Sequence, residues 1–545
     1  MLRKHHRVLF FGVWLLLNLI QAGMTELSDD EAYYWVYSRW PAWGYFDHPP
    51  MISLLIRVGY FFFRNEFGVR LLILSCSTFT LYLIGQLISR RNDLLFYAIV
   101  SGIAVIQLGG IIAVPDIPLL LFASLFFLLY GRFVQKMSVA NILLLGIVIA
   151  LLCYSKYHGL LILFFTLLSY PRLLLRYQTW LVAGIAILLF SPHLWWQYKN
   201  GFPSVQYQLF GRNVEHYRLR FTLDYLGGQL LLAGPVAGFL LLWAAFAYRT
   251  RGRVEKALKY TMVGFYAFFL FFALRGRVEA NWTVPALIGL VVLSHQYLQE
   301  NPRSRRWIYR LAPVTLLLVM AARVYMISDP DPSLLVPRDE FHGNKRWAAA
   351  IREQSDKNPV VFIDSYQKPS KYWFYTGIPA MSLNTPEYRR NNYNFWPMED
   401  SFTGKRVYVI GPYDKQVLNE KVHAPGWEHD GGKMISPYFS FSRISLRAGK
   451  PLIPAGSLPL LQRPPYDSIA VELGIFRNDS LLGYFPSGLV LREIAGPGMR
   501  WPPPQSAALL KGDLPKGDYI LRYAIPSAVP GRPSLNSLSI PLSMP

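Results

Sequence analysis

Between residues 8 and 327 the chain is a succession of long apolar runs separated by short polar stretches, and no other feature limits its fold as strongly. A helix needs about 20 mostly apolar residues to cross a hydrocarbon core about 30 Å thick. On that ruler the runs predict helices near residues 8–25, 68–88, 94–111, 117–132, 138–153, 158–171, 178–194, 226–247, 259–275, 282–298 and 311–327. The piece 51–63, apolar but holding Arg57, predicts a helix lying on the membrane surface. Beyond residue 327 the runs stop. Of the 545 residues, 52% are hydrophobic and only 16% charged, unlike a soluble multidomain chain of this length. The expected fold class is a polytopic α-helical membrane protein of about 11 spans with a water-soluble C-terminal part.

The net charge of +22 is distributed, not general. Bases collect at the ends of the runs, within 3–7, 90–91, 132–136, 172–176, 249–259 and 303–310, with only Asp93, Glu255 and Glu300 nearby. Such an excess in alternate loops marks cytoplasmic faces. Eleven spans from a cytoplasmic N-terminus put all six clusters inside. The same count puts 25–67, Asp116, Lys156, 195–225, 275–281 and the C-terminal part outside. A nucleic-acid partner is rejected, because neither zinc-finger spacing nor a basic-aromatic platform is present. Cys76 and Cys153 both fall inside apolar runs, so neither a disulfide framework nor a cysteine metal site is expected. The basic N-terminus and its apolar run read as a retained first helix, since no small-residue cleavage site follows.

Polar chemistry collects in the predicted outer loops. Residues 25–50 carry Asp29, Asp30 and Glu31 beside Tyr33, Tyr34, Trp35, Tyr37 and Trp40, and end on Asp47-His48-Pro49-Pro50. Tyr and Trp suit a water–lipid boundary, and carboxylates among them suit a polyhydroxylated, amphipathic substrate. Ser28 and Glu31 fit a capping box. A helix start alone would explain part of the acidity. Successive helix positions point in different directions, so Asp30 is favoured for the substrate while Glu31 has the cap available. Asp116 stands between two prolines at a helix mouth, where it is a candidate site carboxylate or an N-cap. Lys156, Tyr157 and His158 lie where two short spans meet, and snorkelling is the alternative for Lys156. Ser191–Trp196 is expected to open an aromatic loop. Arg275, Arg277, Asn281 and Trp282 form a further outer cluster, with ordinary loop charge as the alternative. Ionisable groups near membrane depth are costly and by default line a working cavity.

In the C-terminal part, Asp329-Pro330-Asp331-Pro332 reads as a linker. An amphipathic helix over 342–356, buried strands over 359–364 and 406–410 and a short helix around Tyr372 predict an α/β domain over 328–428. Short strands over 439–447, 468–476, 488–494 and 518–524 predict a β-sandwich over 429–545. The membrane domain would occupy 1–327, with 25–67 as its catalytic outer loop. Gln367, Lys371 and Tyr372 are candidates for acceptor selection.

Taken in order, Asp30-Glu31, Asp47-His48-Pro49-Pro50, Pro115-Asp116, Ser155-Lys156-Tyr157-His158-Gly159 and Asn281-Trp282-Thr283-Val284-Pro285 resemble the GT-C glycosyltransferases. The nearest group is the bacterial relatives of protein O-mannosyltransferases and of lipid A aminoarabinose transferase, over about residues 8–327. The resemblance implies a polyprenyl-phosphate-linked sugar as donor. It implies a glycan, lipid or protein of the envelope as acceptor, and transfer at the periplasmic face of a bacterial inner membrane. It implies catalytic roles for Asp30, with Glu31 beside it, and Asp116. Lys156, Arg275, Arg277 and His48 would bind the donor phosphate, and Tyr34, Asp47, Tyr157, His158, Asn281 and Trp282 the substrates. One departure stands out: the aminoarabinose transferases have Glu-Lys-Pro-Pro at the Asp47-His48 corner, and a histidine does not supply a permanent charge. A divalent ion on Asp30, Asp47 or Asp116 is an added option, with hard oxygen ligands. A transporter or flippase of lipid-linked sugars ranks second, because transporters place ionisable groups at the midplane of repeated halves.

Overall fold

The computed structural model describes residues 2–208, 217–328, 339–412, 420–421, 430–446, 452–453, 458–461, 463, 465–494 and 514–544. The expected linker 329–332 lies outside the described residues. The chain forms two compact units, one of residues 1–202 with 216–330 and one of residues 203–215 with 331–545.

Among the described residues of the first unit, six helices are long and apolar enough to cross a bilayer: α1 (Leu2–Met24), α4 (Glu66–Gln86), α6 (Asp116–Gln135), α9 (Tyr177–Lys199), α13 (Arg253–Ala273) and α15 (Pro302–Ile327). Shorter apolar helices α7 (Val139–Ser155), α8 (His158–Ser169) and α14 (Ala286–Glu300) fill the bundle between them. Almost every residue of α14 from Ala286 to Leu298 is buried, as befits a helix apolar on all sides at the centre of a bundle. By contrast α1, α9 and α15 leave most of their apolar surface outward, where acyl chains would cover it.

Two expected spans are broken. The run 94–111 divides into α5 (Asp93–Ser101), which ends on Gly102, and a π-helical turn over Val105–Gly109. The run 226–247 divides into α11 (Leu219–Ala233) and α12 (Gly238–Ala247), which meet at 90°. The cause lies at Gly234-Pro235. Gly234 has φ +137°, and a Cβ there would fall 2.6 Å from the Gly102 carbonyl oxygen. The two helix breaks therefore touch through glycine, which alone tolerates both the conformation and the approach. The outer loop 25–67 is helical, with α2 (Asp29–Arg39) and α3 (Met51–Phe62). Ile52 and Ile56 of α3 are buried, Leu54, Phe61 and Phe62 are exposed, and Arg57 Nη1 donates to the Ser38 carbonyl (2.8 Å). Twelve residues are too short to span, in keeping with a helix at the interface.

The second unit begins with a four-residue helix α10 (Pro203–Gln206) and continues with α16 (Asn344–Gln354), β1 (Val360–Ile363), α17 (Gln367–Thr376), β2 (Ala380–Leu383) and β3 (Val407–Pro412). With β4 (Glu420–Lys421) and β5 (Asp430–Ile435) these strands form a sheet of order β2-β1-β3-β5-β4, parallel over β2-β1-β3 and antiparallel beyond. The α/β sheet thus extends past the boundary expected at 428. A second, antiparallel sheet has the order β10-β8-β6-β7, with β9 on β8: β6 (Ala470–Arg477), β7 (Ser480–Val490), β8 (Gly517–Ile525), β9 (Ser534–Leu535) and β10 (Ile540–Met544). Asn478 and Asp479, at φ 50° and 64°, make the β6–β7 hairpin turn, which needs two left-handed residues. Among the described residues this is one sheet in place of the expected two-layer sandwich. Residues 439–446 contribute only a Ser445–Leu452 bridge, and the expected strand 488–494 turns helical at Leu491.

Candidate active site

The first turn of α2 is fixed by a buried ion pair that the sequence reading missed. The expected capping box is present: Ser28 Oγ accepts from Glu31 N, and Glu31 Oε2 accepts from Ser28 N (3.0 Å). Arg70 of α4 then clamps the same carboxylate, Nε to Oε1 and Nη2 to Oε2, both at 2.6 Å. Its remaining hydrogens reach the carbonyls of Ala22 (3.1 Å), Thr25 (2.7 Å) and Glu26 (2.9 Å), groups at and beyond the end of α1 that lack helical partners. Ala113 N, three residues before Asp116, donates to Glu31 Oε1 (2.8 Å). Burial by itself would raise the Glu31 carboxyl. The Arg70 charge and these hydrogen bonds outweigh it and hold the group below its ordinary range. Glu31, expected among the catalytic residues, is fully buried with both oxygens engaged, and it anchors this turn. The anchor sets the position of Asp30, the preceding residue, which is partly exposed. The signal for Arg70 was a lone arginine inside an apolar run.

Asp116 and Lys156 meet directly. Lys156 Nζ lies 2.8 Å from Asp116 Oδ1 and 2.9 Å from Oδ2, and each side chain is only 6–7% exposed. Asp116 opens α6, whereas Lys156 sits in the extended residue where α7 ends before α8. Both Asp116 oxygens thus face one ammonium. A cavity of about 210 Å³ adjoins the pair. Asp116 and Asn281 line it together with Ser77 and Thr80, and the rest of its wall is mostly apolar, including Ile84, Leu120 and Leu287. Gly110 narrows this wall: a Cβ would fall 2.5 Å from the Ile106 carbonyl oxygen and 2.6 Å from Ser77 Oγ.

The Asp47-His48 corner packs under α2. Asp47 is buried and its Oδ2 accepts from the hydroxyls of Tyr33 and Tyr37 (3.3 Å each). Tyr37 stacks on Tyr45 at 4.1 Å, and His48 meets the Tyr34 ring edge-on at 5.6 Å. His158 stacks on Phe269 at 5.3 Å, and both approach Trp282. Tyr157 Oη is 3.1 Å from His193 Nε2. His193 belongs to α9, which continues to Lys199, so the aromatic loop expected to open at Ser191 starts later. Arg275 and Arg277 are exposed. The first lies over the Phe271 ring and the second pairs with Glu279 at 3.1 Å, a solvent-screened contact. Nothing in their geometry joins them to the Asp116–Lys156 pair.

Among the described residues no three His, Cys, Asp or Glu side chains converge as a metal would require. Asp116 is committed to Lys156 and Asp47 to two tyrosines. That donor set does not fit a divalent ion.

Residues 47–196 match the family described as dolichyl-phosphate-mannose-protein mannosyltransferase. A curated relative, the lipid A galacturonosyltransferase RgtD of Rhizobium johnstonii, is 25% identical over 389 residues, 65% of this chain and 78% of the relative. Among solved structures, ArnT from Cupriavidus metallidurans bound to undecaprenyl phosphate aligns with a TM-score of 0.57 at 14% identity, covering 79% of this chain and 98% of that one. Its apo state gives 0.58, with 80% and 98% covered. At 14% identity the solved structures show that this chain has an ArnT-like fold, and the family model and the curated relative are what its sequence is similar to.

Proposed function

We propose that the enzyme moves a monosaccharide from a polyprenyl-phosphate donor to lipid A or a similar envelope acceptor at the periplasmic face of the inner membrane. The observation that carries this reading is the apolar cavity ending at Asp116, beside the buried Lys156. An isoprenoid tail suits an apolar wall. Breaking the sugar–phosphate bond builds charge on the leaving phosphate, and a preplaced ammonium in a water-poor site stabilises that charge most. Asp116 holds the Lys156 side chain in place until the phosphate arrives. Asp30, held in place through its neighbour Glu31, takes the proton of an acceptor hydroxyl. One displacement at the anomeric carbon inverts its configuration. If the acceptor is itself a phosphate no base is needed, and Asp30 orients the sugar instead. Tyr34, Asp47, His48, Tyr157, His158, Asn281 and Trp282 frame the sugar, and the C-terminal domains, with Gln367, Lys371 and Tyr372, select the acceptor.

The bases at alternate helix ends support a cytoplasmic N-terminus and a periplasmic C-terminal part. A uronic acid is the first donor to try, given the activity in the curated relative's name. The test is mass spectrometry of envelope lipids with and without the gene, joined to transfer by purified protein from a synthetic undecaprenyl-phosphate sugar. Loss of one sugar in the deletion and its transfer in vitro are expected. Unchanged envelope lipids and no transfer from any such donor would overturn the proposal.

A further inference from the structure

The turn after α2 is held against α9 by a histidine with no place in the transfer step described above. His193 is 1% exposed. Its Nδ1 lies 2.7 Å from the Trp43 carbonyl oxygen, its Nε2 3.1 Å from Tyr157 Oη and 3.4 Å from Gln197 Nε2. A carbonyl oxygen only accepts, so Nδ1 carries the hydrogen, and in the neutral ring Nε2 accepts. Gln197 Nε2 donates to Tyr157 Oη (2.8 Å), which leaves the tyrosine hydrogen directed at Nε2. The next residue of the turn confirms how tightly it sits. A Cβ on Gly44 would fall 2.5 Å from Trp196 Cε3 and 2.9 Å from His193 Nδ1. Three residues on is Asp47, under the tyrosines of α2, and one residue before Tyr157 is Lys156.

We propose that His193 is a positioning residue for sugar transfer, its two ring nitrogens tying the Trp43–Asp47 turn to the Tyr157 hydroxyl and so to the Lys156–Asp116 pair. The inference rests on the proposed transfer reaction for its kinetic consequence and on geometry alone for the tie. Neither His193 nor Tyr157 lines the apolar cavity. Losing the tie therefore disturbs alignment for reaction more than retention of the donor lipid.

The test uses the full chain in detergent, with a synthetic undecaprenyl-phosphate sugar as donor and amide hydrogen exchange over residues 42–48 as a readout independent of turnover. His193→Leu is expected to speed exchange of the turn and to lower kcat at least about tenfold while donor KM stays within about twofold. His193→Asn, whose side-chain amide stands where Nδ1 stood, is expected to restore the exchange protection and most of kcat. Adding Tyr157→Phe to His193→Leu is expected to cost little more than the worse single change, as for groups acting as a unit. Unchanged exchange in His193→Leu, a loss confined to KM, or single effects that multiply would overturn the proposal. If His193→Leu does not fold, Gly44→Ala loosens the same turn from the other side, and an unaltered kcat there overturns it equally. Exchange that responds in a protein transferring no sugar would refute the donor reading and leave the tie standing.

Discussion

Replacing Arg70 by methionine leaves the Glu31 carboxylate buried without its counter-charge. Breaking one side of a buried ion pair costs about 3–5 kcal/mol, because the remaining charge stays desolvated. Here the three carbonyls around the end of α1 lose their donor as well. Converting Glu31 to glutamine in the same chain removes the stranded charge, so the double variant is expected to recover about 2–3 kcal/mol relative to the sum of the single changes. The pH dependence has a definite sign. Arg70 holds the folded Glu31 carboxyl below its ordinary value, so the wild type keeps this contribution above about pH 4.3 and loses it as pH falls through the folded value. In Arg70→Met only the Ser28 and Ala113 hydrogen bonds still oppose burial, and the folded value rises. That variant therefore loses stability as pH rises, and its deficit is largest at neutral pH. Melting of detergent-purified wild type, both single variants and the double between pH 4 and 8 reads all of this. An Arg70→Met protein as stable as wild type at pH 7, or single effects that add, would refute the anchoring role of the pair.

Asp30→Asn is expected to abolish transfer while leaving expression and melting unchanged, and a wild-type rate from a synthetic polyprenyl-phosphate donor would remove Asp30 from the mechanism. Lys156→Ala strands the buried Asp116 carboxylate and is expected to impair donor use more than acceptor use, measured as separate KM values; the reverse pattern would contradict its phosphate role. In the second unit, burial pushes the Asp364 carboxyl up to about 6, against the opposing pull of its hydrogen bonds from Thr385. A carboxyl raised on folding holds its proton longer in the folded chain, so stability falls as pH rises from about 4 to 6. Asp364→Asn is expected to flatten that part of the melting profile, and an unaltered slope would assign it to other groups.

The positions of the long helices were legible because hydropathy and basic clusters are separate signals and both mark helix ends. Most predicted boundaries fall within a turn of α1, α4, α6, α7 and α8. The two breaks were harder to read. Gly102 and Gly234 interrupt runs that are apolar on both sides, and their mutual contact joins segments far apart in the chain. Capping by Ser28 and Glu31 was visible locally, but the partner that turns Glu31 into an anchor lies 39 residues away on another helix. The approach of Lys156 to Asp116 likewise depends on how α6 and α7 pack, which spacing along the chain does not encode. Strand alternation located β6 and β8 and could not reveal whether their sheet has a facing layer. Arg275 and Arg277 show the limit of charge as a guide: cations at an outer loop need not turn inward.

The most direct test of the central claim is a density map of the full chain with a non-hydrolysable polyprenyl-phosphonate sugar. The isoprenoid tail is expected in the cavity behind Asp116, with a phosphonate oxygen within hydrogen-bond distance of Lys156 Nζ and the sugar facing Asp30. A tail lodged elsewhere in the bundle, or a sugar on the side away from Asp30, would contradict it.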